Sequence, residues 1–208
     1  MINTLYQFGD QVKLRPRLNV KKMLQELEPF EEKWSQYNPS KPYIRREGLC
    51  VLNEKGKCGP GPALDSIPEY NKRNGTNLKE HDFNIPTELY NSSLQLQQLL
   101  KDFLPHCCRI HFLKLKSGGY FPTHRDHLYG NQSVVRLIVP ITGCSPPQMR
   151  FLIEDKTLHW NHGQMYMVNT TKEHSLFNMS DGDSIWLVIN MIVTEESKNI
   201  VIDNLLIR

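Results

Sequence analysis

From residue 107 onward the chain is cut into short β-rich runs by turn-forming residues, and this punctuation restricts the possible fold more than any other feature. CRIHFLKLK, YFPTH, SVVRLIVPI, QMRFLIE, TLHW, QMYMVN, EHSLFN and SIWLVINMIV are rich in β-branched and aromatic residues, which suit a pleated, half-buried surface. Between them lie SGG, HLYGNQ, TGCSPP, EDK, NHG, TTK and MSDGD, whose Gly, Pro, Asn and Asp supply the backbone geometries of tight corners. Eight strands with such corners predict two antiparallel sheets wound as a jelly roll. The expected fold class is therefore mainly β: a double-stranded β-helix of the cupin-like kind, with N-terminal helices packed on the outside.

The first half reads differently. Asn19 precedes VKKMLQELEPFEEKW, where Val20, Met23, Leu24, Leu27 and Phe30 recur at helical spacing, so a capped helix is expected over about residues 20–36, broken or kinked at Pro29. YIRREGLCVL reads as a strand. SLQLQQLLKDFL places Leu94, Leu96, Leu99, Leu100 and Phe103 on an apolar stripe that ends at Pro105. GKCGPGPALDSIP and NKRNGTN are turn-rich, and residues 54–85 are expected to form a mobile flap within a selectivity region spanning 40–90. A chain of 208 residues suits one domain. Within it, 1–104 would be an elaboration and lid, 105–194 the jelly-roll core and 195–208 a C-terminal extension.

Composition excludes several classes. A formal net charge of +3, with Lys and Arg interspersed among acids, provides no stripe for nucleic acid. The five cysteines are odd in number and contain no CxxC, against both a disulfide framework and a zinc ribbon. No run of about 18 apolar residues predicts a membrane span, and the start of the chain lacks the pattern of a secretion signal, so a cytoplasmic protein is expected.

His124 and Asp126 are separated by one residue at the end of a predicted strand, so strand alternation turns both side chains to one face. His174 opens a later strand. Two imidazoles and one carboxylate on one face of a mononuclear iron leave open positions for substrate and dioxygen. HxD alone is a common chance match; the glycine pair before it, the surrounding strands and the late histidine give it weight. His124 to Asn131 also spells HRDxxxxN, a kinase catalytic-loop pattern, but no glycine-rich phosphate loop, VAIK-like lysine or DFG accompanies it.

The segment RIHFLKLKSGGYFPTHRDH, followed by VVRLIVPI, MRFLIEDKTLHWNHGQMYMVN and EHSLFNMSDGDSIWLVINM, resembles the aspartyl/asparaginyl (and proline) β-hydroxylase family of Fe(II)/2-oxoglutarate oxygenases over about residues 107–191. The resemblance implies that His124, Asp126 and His174 hold the iron and that Arg136 meets a carboxylate of 2-oxoglutarate. It also implies hydroxylation at a side-chain carbon of an amino acid, free or within a peptide or protein, using dioxygen and releasing succinate. A guanidinium forks onto a carboxylate through two parallel hydrogen bonds, which suits Arg136 to that role. The strand pattern leaves its direction open, since Val135, Leu137 and Val139 share one face and Arg136 shares the other with Ile138 and Pro140.

One position departs from the family. Many members carry an arginine about ten residues after the distal histidine, and Ser184 stands there. Either Ser184 contributes a hydroxyl while Arg136 or Arg150 supplies the charge, or the cosubstrate binds differently. The alternation around Arg150 does not fix its direction. His111 and Arg109 share a face on the first barrel strand and are candidate substrate contacts. His127, His159 and His162 fall in or beside turns and are expected to be solvated, whereas Trp160, Trp186, Tyr166 and Phe177 are expected in the core. Two rival readings remain: a cupin-like metal enzyme that does not use 2-oxoglutarate, and a non-catalytic jelly-roll binding module. Oligomeric state is not legible.

Overall fold

The computed structural model describes residues 2–126 and 134–206. The first half contributes α1 (Ile2–Tyr6), β1 (Gln11–Arg17), α2 (Val20–Leu27), β2 (Ser35–Gln36), β3 (Arg46–Cys50) and β4 (Leu52–Asn53). Then come α3 (Ile67–Asn74), β5 (Ile85–Pro86), α4 (Glu88–Ser92) and α5 (Leu94–Leu100). The second half is almost entirely strand: β6 (Cys107–Leu115), β7 (Tyr120–His124), β8 (Val134–Thr142), β9 (Met149–Ile153), β10 (Lys156–Thr157), β11 (Gln164–Val168), β12 (His174–Asn178) and β13 (Ser184–Ile192), closed by α6 (Glu195–Asp203).

Each expected strand of the second half is present, although TLHW shrinks to the short β10 because Trp160 leaves the ladder to fill the interior. A seven-stranded sheet runs β1-β11-β8-β13-β6-β3-β2, and a four-stranded sheet runs β10-β9-β12-β7. The fold is a mainly β jelly roll whose large sheet is lengthened by β1, β2 and β3 of the first half; β1 is a strand that its polar, proline-containing sequence concealed.

Two cores lie on opposite faces of the large sheet. On the outer face Val135, Leu137, Val139, Leu187 and Ile189 pack against Met23 and Leu27 of α2, Leu96 and Leu99 of α5, and Val201 of α6. The inner face meets the small sheet through Ile138, Phe151, Trp160, Tyr166 and Trp186, whose rings contact one another edge to face. Covering both faces explains why β6 and β13 are buried along almost their whole length instead of at alternate residues.

Local chemistry sets the element ends. The Asn19 side chain accepts a hydrogen bond from the Lys22 amide and caps α2, and at Pro29 the helix passes into a 3-10 turn, Glu28–Lys33. Thr194 and Ser197 cap α6 reciprocally, so the expected C-terminal extension is a docked helix. Leu94 departs from the expected stripe. It is exposed because it lies two residues, about 200° of helical rotation, from the buried Leu96. In the SGG turn a Cβ on Gly119 would stand 2.3 Å from the Arg45 carbonyl oxygen, so only glycine lets β7 start beside that chain.

The stretch expected as a mobile flap, residues 54–85, is not all turn. It holds α3 and two 3-10 turns, and Phe83, Leu64, Ala63 and Ile67 form a small core with Cys50 of β3. Turn-forming residues mark where the backbone bends, whereas the buried Phe83 decides that the bent segment is packed.

Candidate metal centre

The C-terminal end of β7 meets the start of β12, and the antiparallel register places His174 directly opposite His124. Their ring centroids are 4.2 Å apart. Asp126 lies just beyond β7, fixed by its amide donating to the Thr170 carbonyl at 2.9 Å. One donor atom from each of His124, Asp126 and His174 falls within 4.8 Å of the others, so a single ion could be reached by all three. Alternation alone was expected to bring the pair HxD to one face; here the turn after β7 and its tether to Thr170 share that task.

Both imidazoles are oriented from behind. Nδ1 of His124 lies 2.7 Å from the Pro122 carbonyl oxygen, and Nδ1 of His174 lies 3.0 Å from that of Lys172. A carbonyl only accepts, so each Nδ1 carries the proton and each Nε2 offers its lone pair to the site, as metal-binding histidines require. Burial lowers the pKa of His174, which favours the neutral, ligating form. Burial alone would raise the Asp126 carboxyl, yet chiefly the Arg136 guanidinium holds it at about 2, so it is an anion at neutral pH.

Arg136 points into the barrel. Its Nη2 donates to Asp126 Oδ2 at 2.6 Å, and it lines both cavities that meet at the triad. The inner pocket, about 100 Å³, is walled by Leu113, Ile138, Phe151 and Val188, with His111, Arg136, Tyr37 and Thr170 as polar members beside the triad. The outer cavity, about 860 Å³, opens between the triad and the segment 65–81. The region expected to govern selectivity thus forms a wall of the larger space.

The remaining expected contacts divide. His111 is buried in the inner pocket, its Nδ1 has no partner among the described residues, and burial pushes its pKa well below the ordinary value, so it is neutral. Arg109 reaches the outer cavity, but its donors are committed to structure: Nε to the Ala63 carbonyl at 2.9 Å, Nη1 to Glu80 at 3.0 Å and Nη2 to the Asp65 carbonyl. It sits at a bulge in β6 with φ of +45°, and so no longer shares a regular face with His111.

Arg150 is exposed on the outer face of the small sheet opposite Phe177, away from both cavities. Ser184 is fully buried with its hydroxyl 3.6 Å from Cys144 Sγ and lines neither cavity. Neither arrives where a cosubstrate contact was expected. Phe177 is 43% exposed beside Tyr120 instead of in the core, because it alternates with the buried Leu176 and Asn178. Trp160, Trp186 and Tyr166 are core residues, and His159 and His162 are exposed. His127 and Asn131 lie outside the described residues.

Sequence reasoning overlooked Tyr37, Arg46, Glu80 and Asn190, all of which line the outer cavity. Asn190 lies across from Arg136 in the sheet and donates to Glu80, tying the cavity floor to the segment above it. The polar Asn within the otherwise apolar run WLVINMIV was the available signal.

No helix among the described residues is long and apolar enough to cross a membrane. No curated protein matches the chain. Among solved structures it is similar to a prolyl-4-hydroxylase from Pseudomonas putida, with a TM-score of 0.51 and 12% identity over 91% of this chain and 95% of that one. A cupin domain from Bordetella pertussis matches with a TM-score of 0.32 and 22% identity, over 41% of this chain and 80% of that one. The profile of the aspartyl/asparaginyl β-hydroxylase family matches residues 70–193, more than half of the chain and the whole stretch that carries His124, Asp126 and His174, and the chain belongs to that family.

Proposed function

We propose that this protein is an Fe(II)/2-oxoglutarate-dependent dioxygenase that hydroxylates a side-chain carbon of an amino acid, free or within a peptide or protein. The observation that carries the reading is the convergence of two Nδ1-anchored imidazoles and the Asp126 carboxylate at the junction of a small inner pocket and a large outer cavity. The donor set fits iron: two neutral nitrogens and one anionic oxygen, with the remaining directions open to the cavities. When bound, iron with 2-oxoglutarate and dioxygen supplies the oxidising chemistry.

The chain's own residues bind, orient and exclude water. His124, Asp126 and His174 would hold the metal. Arg136, the one cation of the inner pocket among the described residues, would take a 2-oxoglutarate carboxylate while retaining its bond to Asp126, and the Nδ1 of His111, without a partner among the described residues, offers a further polar contact there. Leu113, Phe151 and Val188 keep that pocket apolar, which strengthens a charged contact made inside it. The outer cavity is large enough for an amino-acid side chain with part of its backbone.

A second reading, a metal-dependent cupin-like enzyme without 2-oxoglutarate, is favoured by the burial of Ser184 against Cys144, which leaves its position without a cation. Anaerobic calorimetric titration of Mn(II)-loaded protein with 2-oxoglutarate separates the two. Saturable binding, lost in Arg136→Ala, supports the oxygenase. Tight Mn(II) binding with no heat on adding 2-oxoglutarate supports the alternative.

A further inference from the structure

Among the described residues, every arginine lining the outer cavity has an acidic partner except one. Arg109 pairs with Glu80 at 3.0 Å, Arg125 with Glu173 at 3.4 Å and Arg136 with Asp126 at 2.6 Å. Arg46 lines the same cavity and is only 4% exposed. Its Nε is buried without a hydrogen-bond partner, and no carboxylate of the described residues pairs with it. The undescribed residues 127–133, HLYGNQS, contain no acid. Glu69, the acid that influences Arg46, acts weakly and is itself engaged by Lys41 at 3.6 Å and by the Ser40 hydroxyl.

What holds Arg46 is aromatic. Its guanidinium carbon lies 4.0 Å from the ring centroid of Phe121 and 5.2 Å from that of Tyr37. Stacking fixes the plane of a guanidinium without neutralising it and leaves its edge donors available. A buried, uncompensated charge costs folding energy, so its presence on a cavity wall calls for a partner that arrives from outside.

Arg46 shares a lateral row with Leu115 and Ser184, each paired with Leu115 from either side. Leu115 separates it from Ser184, and it borders the outer cavity but not the inner pocket. We infer that Arg46 is a carboxylate receptor of the outer cavity, held over the rings of Phe121 and Tyr37 for contact with an anionic group of the substrate. This deepens the oxygenase reading and rests on it only for the identity of the ligand. The same chemistry could be met by the distal carboxylate of 2-oxoglutarate, and the test distinguishes the two sources.

The experiment compares thermal unfolding of wild type, Arg46→Met, Arg46→Gln and Arg46→Lys in sodium succinate against sodium chloride of equal ionic strength, without added metal. Succinate is expected to raise the Tm of wild type by roughly 2–4 °C near saturation, Arg46→Lys by less, and both neutral variants by less than half as much, the remainder reflecting succinate held at Arg136. An equal succinate shift in Arg46→Gln and wild type, or no shift in wild type, overturns the inference; the glutamine variant preserves the test if the methionine variant fails to fold. Calorimetry of the Mn(II)-loaded forms with 2-oxoglutarate assigns the source. Unchanged affinity in Arg46→Gln assigns the site to the substrate, as inferred; a tenfold or greater loss assigns it to the cosubstrate and overturns the substrate assignment. Failure of wild type to bind 2-oxoglutarate at all would count against the proposed oxygenase, while the succinate shift would still stand or fall by itself.

Discussion

The two faces of the large sheet have nearly the same burial and very different composition. On β8, Val135, Leu137, Val139 and Ile141 are fully buried against the helices, while Arg136 and Ile138, alternating with them, face the barrel. The outer face is aliphatic and is filled by elements that the first half and the C-terminus supply. The inner face is aromatic and polar, and its Arg136 meets the carboxylate of Asp126, which lies beside the imidazoles that the small sheet carries on β7 and β12. One ladder of backbone hydrogen bonds therefore serves two purposes: the outer face provides most of the aliphatic burial, and the inner face spends part of its area on groups that packing alone would not select.

The largest effects expected from this division fall in the barrel interior, where the small sheet faces the inner face. His124→Ala, Asp126→Ala and His174→Ala should each abolish Mn(II) binding and metal-dependent turnover while cooperative unfolding persists; calorimetry with circular dichroism checks both, and retained turnover in two of the three would remove the triad from the mechanism. Leu137→Ala on the outer face should do the reverse. It should lose about 2–5 kcal/mol in urea unfolding and keep Mn(II) affinity in the surviving folded fraction.

Arg136→Ala sharpens the comparison, because this residue would join the proposed cosubstrate contact to the candidate metal ligand Asp126, which it bonds. A loss of about a hundredfold in 2-oxoglutarate affinity, near 3 kcal/mol, is expected. Since Arg136 also bonds Asp126, a modest loss in Mn(II) affinity should accompany it, and unchanged 2-oxoglutarate affinity would leave the inner pocket without its anchor.

Acid pH offers a smaller test on the metal-free protein. The folded pKa of Asp126, about 2, lies below the unfolded carboxylate value of about 3.9, so the residue contributes stability above pH ~4 that is lost as pH falls toward 2. Relative to Asp126→Asn, wild type should lose on the order of 2 kcal/mol or less between pH 5 and 2.5, discounted for partial exposure. A constant difference across that range would mean that Asp126 is not held by Arg136 in solution.

Thiol labelling asks whether both faces are equally sealed. Burial pushes Cys144, against the inner core, up to about 12, as it does Cys50 and Cys108, and raises Cys107, in the outer core, as well. At pH 8 these thiols should resist iodoacetamide until unfolding, in contrast with rapid labelling of free cysteine, as peptide mass spectrometry would show. Preferential labelling of Cys144 would reveal that the inner face opens first.

Some of the molecule was legible before its structure. Turn chemistry marked the strands of the second half, helical spacing with Asn19 marked α2, and the spacing HxD with a late histidine marked the candidate ligands. These signals depend on neighbours within a few residues, where period and capping act directly. Other features had no local signal. Alternation tells which residues of β8 share a face, but with both faces covered by apolar partners it does not tell which face is inside, so it leaves Arg136 open and keeps Arg150 and Ser184 as candidate contacts although neither lines either cavity. The register that sets His174 against His124 follows from sheet order and turn lengths across fifty residues. Arg46 comes from the first half and becomes a cavity residue only because β3 pairs with β6 and brings it over Phe121. Sequence by itself determined the elements and their chemistry; tertiary pairing decided which side chains meet, because contact between distant strands depends on how the whole chain closes its two cores.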